Sequence, residues 1–195
     1  MENLFFCPPS DSEEIVNLIR RQKNKSTDRM IIPVFIYTIL APLIAPTVSL
    51  LFNNSLSEGI FPECFKTAKI IPIFKSGDSN STANYKPISK LLFLSKMFDK
   101  LMCARLDSYL KSKNILYTNK FGFHKNSNTS DAIIEFLDYV YSSLDKKQST
   151  LAVYLDFSKA FDTVNHEILM SKLQHNGIRG VMLSWFKSYL CNRKQ

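Results

Sequence analysis

LAVYLDFSKAFD (Leu151–Asp162) is the stretch on which the reading of this chain turns. Leu151, Val153 and Leu155 alternate with Ala152, Tyr154 and Asp156, the period-two pattern of a strand packed on at least one face. A strand that ends in Asp156 and runs on into Phe-Ser-Lys-Ala-Phe-Asp presents the carboxylate at an edge, within reach of a metal or substrate. A buried aspartate is costly unless it is paired or metal-bound. On the plainer reading, Asp156 opens a turn and Asp162 caps the following helix.

The longer run YLDFSKAFDTVNHEIL (Tyr154–Leu169) resembles motif A of reverse transcriptases, specifically those of jockey-like non-LTR retrotransposons. Agreement over so many consecutive positions is far more specific than a short isolated motif. The resemblance implies a template-directed polymerase palm. In it Asp156 holds catalytic Mg²⁺, helped by the backbone carbonyl of Phe157. Phe161 is then the gate that stacks under the incoming sugar and excludes a 2′-hydroxyl. Such roles are physically coherent. Magnesium takes few carboxylates plus substrate phosphates, and two ions can stabilise both oxygens of an in-line phosphoryl transfer.

Upstream, FPECFKTAKIIPIFKSGD (Phe61–Asp78), NYKPIS (Asn84–Ser89) and NKFGFHKNSNTSDAI (Asn119–Ile133) resemble the fingers motifs of the same family, in order. The similarity covers roughly Asn53 to Gln195. Carried over by position, Lys75 and Lys86 contact the triphosphate and the template. The chain departs from the family at Lys86 and at His124, where arginine is usual. Lysine keeps the charge but loses the bidentate fork, and histidine is mostly neutral at pH 7. The family's Pro-Gln-Gly-Ser block and its two adjacent aspartates do not occur in these 195 residues. The expectation is a reverse transcriptase truncated after motif A, with an incomplete magnesium site and no activity alone.

A net charge of +8 suits a polyanionic partner, here RNA template, DNA primer and deoxynucleoside triphosphates. Lys66, Lys69, Lys75, Lys86, Lys90, Lys111, Lys113, Lys120 and Lys125 carry much of it, most as solvated surface and the fingers set as a groove. The 45% hydrophobic content argues against wholesale disorder. Cys7, Cys64, Cys103 and Cys191 form no CxxC pair, so reduced thiols and an intracellular location, nucleus or cytoplasm, are expected. His124, His166 and His175 lack ligand spacing.

Met30–Phe52, MIIPVFIYTILAPLIAPTVSLLF, carries no charge, is long enough to cross a bilayer and follows a basic stretch from Arg20 to Arg29. Pro33, Pro42 and Pro46 punctuate it at intervals that would break a regular helix, and a pair of buried apolar helices is favoured over a span. It starts too far in for an ordinary signal peptide.

Elsewhere, Ser10 and Glu13 have capping-box spacing for a short helix bearing Ile15, Leu18 and Ile19. Lys66–Phe74 reads as a strand and Ser76–Asn84 as its polar loop. Ser89 is read as the N-cap of a long helix whose stripe runs from Leu91, Leu94, Phe98, Leu101 and Met102 to Leu106 and Leu110. A helix over Thr129–Lys146 is expected to bury Ile133, Ile134, Leu137, Val140 and Leu144. Another covers Val164–Gln174 with Gly177 just past its end, and a last one carries Met182, Trp185, Phe186, Tyr189 and Leu190.

The expected fold is α+β, the fingers and incomplete palm of a right-hand polymerase, with the underside of Leu151–Leu155 partly uncovered. Residues 1–52 are read as a helical extension, 53–128 as fingers, 129–162 as the start of the palm and 163–195 as following helices. Three functions are open: an RNA-directed DNA polymerase fragment, a non-catalytic RNA- or DNA-binding remnant, and a membrane-anchored protein resting on residues 30–52 alone. Oligomeric state is not legible.

Overall fold

The computed structural model describes residues 4–22, 32–117, 119–123 and 127–195. His124, Lys125 and most of the basic stretch before Met30 lie outside the described residues. The fold is α+β, with six helices and a two-stranded sheet among the described residues. It divides into two compact units, residues 1–109 with 165–195, and residues 110–164.

The first unit opens with α1 (Ser12–Arg20), which buries Ile15 and Ile19 as its periodicity requires. Its N-cap is Asp11, one residue later than expected, with the carboxylate accepting from Glu14 N–H at 2.7 Å. Ser10 is occupied elsewhere. Its N–H and hydroxyl both donate to Asn53 Oδ1, at 2.8 and 3.1 Å, and its carbonyl accepts from Ser49 Oγ at 2.6 Å. That polar clasp joins the chain before α1 to α2 (Val34–Glu58).

α2 corrects the expectation of a broken helix pair: it is one helix of 25 residues, with Pro33 at its N-cap and Pro42 and Pro46 inside. Each internal proline forfeits one i→i−4 bond. Tertiary packing offsets the loss, because Ala41, Ala45, Val48, Phe52 and Leu56 form one continuous buried stripe. The opposite face is apolar and exposed, carrying Phe35, Ile39, Leu43 and Leu50. The helix is thus buried along one narrow stripe rather than enclosed. By length and a mean hydropathy of 2.0 it is also apolar enough to cross a membrane. Gly59 ends it at φ +70°, and a Cβ there would sit 2.8 Å from the Val181 carbonyl oxygen.

β1 (Lys69–Phe74) and β2 (Tyr85–Lys90) form an antiparallel hairpin in the register Lys69↔Lys90 to Phe74↔Tyr85. Ser89 is therefore a strand residue opposite Ile70, not a helix cap, and α3 (Phe93–Ser112) starts later. Two prolines, Pro72 and Pro87, face each other in the ladder. Lys75 N–H donates to Asn84 O at 2.8 Å, so 75/84 and every second pair back to 69/90 are the hydrogen-bonded sites. Pro72↔Pro87 falls between them, where no N–H is required.

α5 (His166–His175) is capped by Asn165, whose side chain accepts from Glu167 and Ile168 N–H. Asp162 is not its cap: it lies in a turn in which its N–H donates to Lys159 O. Gly177 follows the helix at φ +87°, as its position implied. α6 (Gly180–Leu190) buries Trp185 and Phe186. The core closes on aromatics. Phe61 lies 5.7 Å from Phe98, 5.5 Å from Trp185 and 5.0 Å from Tyr189, and Phe52 stacks on Phe98 at 4.1 Å. Trp185 Nε1 donates to Ser55 Oγ at 3.0 Å, so the buried indole is satisfied.

The second unit holds α4 (Thr129–Asp145), started by a full capping box between Asn128 and Asp131. Its apolar stripe is a correction: Ile133, Ile134, Leu137 and Leu144 are exposed, and Ser143 is the buried residue of the helix. Residues 151–157 form no strand, against expectation, and Leu151, Val153 and Leu155 are 74–90% exposed. A strand needs a neighbour for its N–H and C=O groups. Among the described residues β1 and β2 pair only with each other, and no partner lies beside 151–155.

Candidate nucleic-acid interface

In the hairpin the register decides which side chains share a face, since residues directly opposite project the same way. Lys69, Ile71 and Ile73 on β1 share one face with Lys90, Ile88 and Lys86 on β2. The Lys75–Asn84 bond extends the ladder by one pair, so Lys75 joins that face. Lys75 and Lys86 are then diagonal neighbours, a relation that places such residues about 7–8 Å apart. Both are exposed. The structure thus brings the two sequence-predicted phosphate ligands together on one ribbon. Two like charges on neighbouring positions of one face favour a bound polyanion.

Lys66 is different from these. It is 3% exposed, and its ammonium donates to Glu63 Oε1 at 2.6 Å. It belongs to the foot of the hairpin, not to a groove.

The motif A residues sit in the other unit and are open to solvent. Asp156 is exposed, as are Phe157 and Phe161, each at 75%. Phe161 has an edge contact with Phe123 at 5.5 Å between centroids. No group of three His, Cys, Asp or Glu side chains that could hold a metal occurs among the described residues. Asp156 offers a carboxylate of the hard oxygen-donor kind that magnesium takes.

Residues 73–195 match the family described as reverse transcriptase (RNA-dependent DNA polymerase). The chain belongs to that family. This reverse transcriptase chain is 33% identical over 128 residues to the "Probable RNA-directed DNA polymerase from transposon BS" of Drosophila melanogaster, covering 65% of the chain and 14% of the relative. To the X-element enzyme of the same fly, "Probable RNA-directed DNA polymerase from transposon X-element", it is 27% identical over 95% of the chain and 20% of the relative. With the fly's "RNA-directed DNA polymerase from mobile element jockey" it shares 29% identity over 64% of the chain and 14% of the relative. It is a jockey-like reverse transcriptase sequence that spans between a seventh and a fifth of the length of these relatives. Reverse transcriptases generally use a divalent metal, a nucleic-acid template and primer, and nucleotides.

One buried polar grouping was invisible in the reverse transcriptase sequence. Asp99 on α3 comes up to Tyr189 on α6, and Arg193 lies over the Tyr189 ring at 4.1 Å. Burial pushes the Asp99 carboxyl above its ordinary range, while the Arg193 charge and the Tyr189 hydrogen bond pull it back. The Tyr189 hydroxyl is pushed up too, by burial and then by the Asp99 charge. Arg193 reaches Tyr189 at the i, i+4 spacing, but Asp99 lies far from both in sequence, and no spacing rule links it to them.

A second polar cluster holds the N-terminal segment. Arg105 donates to Glu14 Oε2 at 2.8 Å, to Cys7 Sγ at 3.1 Å and to the Pro8 carbonyl. Burial raises the Cys7 thiol above its usual value, against the opposing pull of Arg105.

Proposed function

We propose that this chain is the phosphate-gripping part of a mobile-element RNA-directed DNA polymerase, and that it binds template, primer and nucleotide without polymerising by itself. The observation that carries the reading is the hairpin: Lys75 and Lys86 share one exposed face within and beside the residues that match the family. Residues 53–128 act as fingers, with the 69–90 hairpin as their basic ribbon, and residues 129–162 as the beginning of a palm. Asp156, with the Phe157 carbonyl, supplies one magnesium ligand, and Phe161 reads the sugar once the remaining carboxylates join them. Four unpaired cysteines support action in a reducing compartment, the nucleus or cytoplasm.

Binding to an RNA–DNA hybrid, titrated against salt, tests this. Affinity should fall steeply with salt, and Lys75→Ala or Lys86→Ala should each flatten the logarithmic slope by about 1. Asp156→Ala should leave binding unchanged. In an assembly completed with the missing carboxylate motifs, the same variant should abolish synthesis. Hybrid binding indifferent to both lysines would remove the hairpin from the interface.

A further inference from the structure

The foot of the basic hairpin is held by a distant part of the chain. After α6, Asn192 adopts φ +58°, a left-handed conformation that asparagine tolerates better than most residues. The turn lays residues 193–194 beside Lys66–Ala68. Lys194 N–H donates to Lys66 O at 3.2 Å and Ala68 N–H donates to Lys194 O at 2.9 Å, a parallel bridge centred on Thr67. β1 begins at the next residue, Lys69.

Arg193 pins this bridge. Its Nε donates to the Tyr189 carbonyl at 2.7 Å, and its guanidinium lies 4.1 Å from the Tyr189 ring centroid and 5.1 Å from that of Phe61. Phe61 is wholly buried, and its N–H donates to Ser188 Oγ at 3.0 Å. Asp99 brings the opposite charge to the other partner of the stack, Tyr189. One oxygen of Asp99 (Oδ1) and one nitrogen of Arg193 (Nη2) are removed from solvent with no hydrogen-bond partner. Groups left in that state are expensive, and a solvent-facing arginine would not hold this position.

We propose that Arg193 is a positioning residue for the hairpin: its planar guanidinium, seated over Tyr189 and against Phe61 and facing Asp99, fixes the 193–194 bridge to residues 66–68 and so sets the presentation of Lys75 and Lys86. The inference rests on the reading of that hairpin as the phosphate-binding element. A lysine would keep the charge but lose the flat face and the fork.

Hydrogen exchange of the whole chain tests the bridge, and hybrid binding tests its consequence. Arg193→Ala and Arg193→Lys should both speed exchange at Ala68, Lys194 and residues 69–74 by about tenfold or more, while α1 and α2 keep their protection. Asp99→Asn should give a smaller change at the same amides. Hybrid affinity should drop by about tenfold in both Arg193 variants with the wild-type salt slope retained, since no phosphate contact is lost. Unchanged exchange at 66–74, full rescue by lysine, or a flattened slope in Arg193→Ala would each overturn the positioning role. Loss of protection throughout α1 and α2 would assign Arg193 to general stability and overturn it as well. If the wild-type chain fails to bind hybrid at all, the phosphate-binding reading falls, and the exchange data still decide whether Arg193 holds the bridge.

Discussion

Residues 61–98 and residues 129–157 are alike in composition, both rich in aromatic and β-branched side chains, yet they end in opposite environments. Phe61, Phe65 and Phe98 are buried among Phe52, Trp185 and Tyr189. Ile133, Ile134, Leu151, Val153, Leu155 and Phe157 stand in solvent. The difference lies in partners rather than in side-chain type. The first set meets helices α2, α3 and α6, whose apolar stripes converge, whereas the second has no facing layer within residues 110–164. Apolar area removed from water stabilises at roughly 25 cal/mol per Å², and area that stays wet contributes nothing.

The largest effect should come from attacking this contrast directly. Trp185→Ala should cost about 3–5 kcal/mol in urea unfolding, whereas Leu155→Ala should stay within about 0.5 kcal/mol. Equal losses would show that residues 151–157 are packed in solution and would break the comparison.

Two glycines give the next test. Gly59→Ala forces a side chain into a left-handed φ against the Val181 carbonyl and should cost about 1–3 kcal/mol. Gly122→Ala meets nothing within 4 Å and should be neutral to within about 0.5 kcal/mol.

Asp99 supplies a smaller, pH-dependent effect. Its folded carboxyl holds a proton more tightly than the unfolded one, because burial outweighs Arg193. Between the ordinary aspartate value and the raised one, the native state binds more protons, so stability falls as pH rises through that window. The penalty is fully present above the raised value and is removed on acidification to the ordinary one. Asp99→Asn should flatten this part of a stability–pH curve, and an unchanged curve would deny the burial effect.

The smallest effect is chemical. Cys64, Cys103 and Cys191 are exposed, while Cys7 is half-buried with its thiol pushed up. Timed alkylation of the native protein should label Cys7 last. Equal rates would mean that the Arg105–Cys7–Glu14 cluster opens freely.

Several elements were legible because their determinants are local. α1, α4 and α5 follow from apolar spacing and from polar residues able to cap, α6 from apolar spacing alone, and the expected limits of α4 fall within a residue of those observed. Even there, the choice of cap depended on competition: Asp11 caps α1 because Asn53 already holds Ser10. β2 was missed because Ser89 reads locally as a helix cap until Ile70 is seen opposite it in the ladder, where Pro87 is tolerated at a site that needs no N–H. The site divides the same way. Lys75, Lys86, Asp156, Phe157 and Phe161 were found through motif order, while Asp99 meets Tyr189 and Arg193 only once α3 and α6 pack.

The sequence by itself determined membership of the reverse transcriptase family, the helical segments and the identity of the lysines and the aspartate that carry the resemblance. These depend on residues in order along the chain, or on contacts three or four residues apart. Tertiary structure alone decided that α2 runs unbroken through two prolines, that Lys66 is buried while Lys75 and Lys86 share an open face, and that Arg193 closes on the foot of the hairpin. It also decided that Leu151–Leu155, for all its alternation, forms no strand. The reason is common to all four: burial and strand pairing are properties of two surfaces meeting, and one segment holds only half of the information.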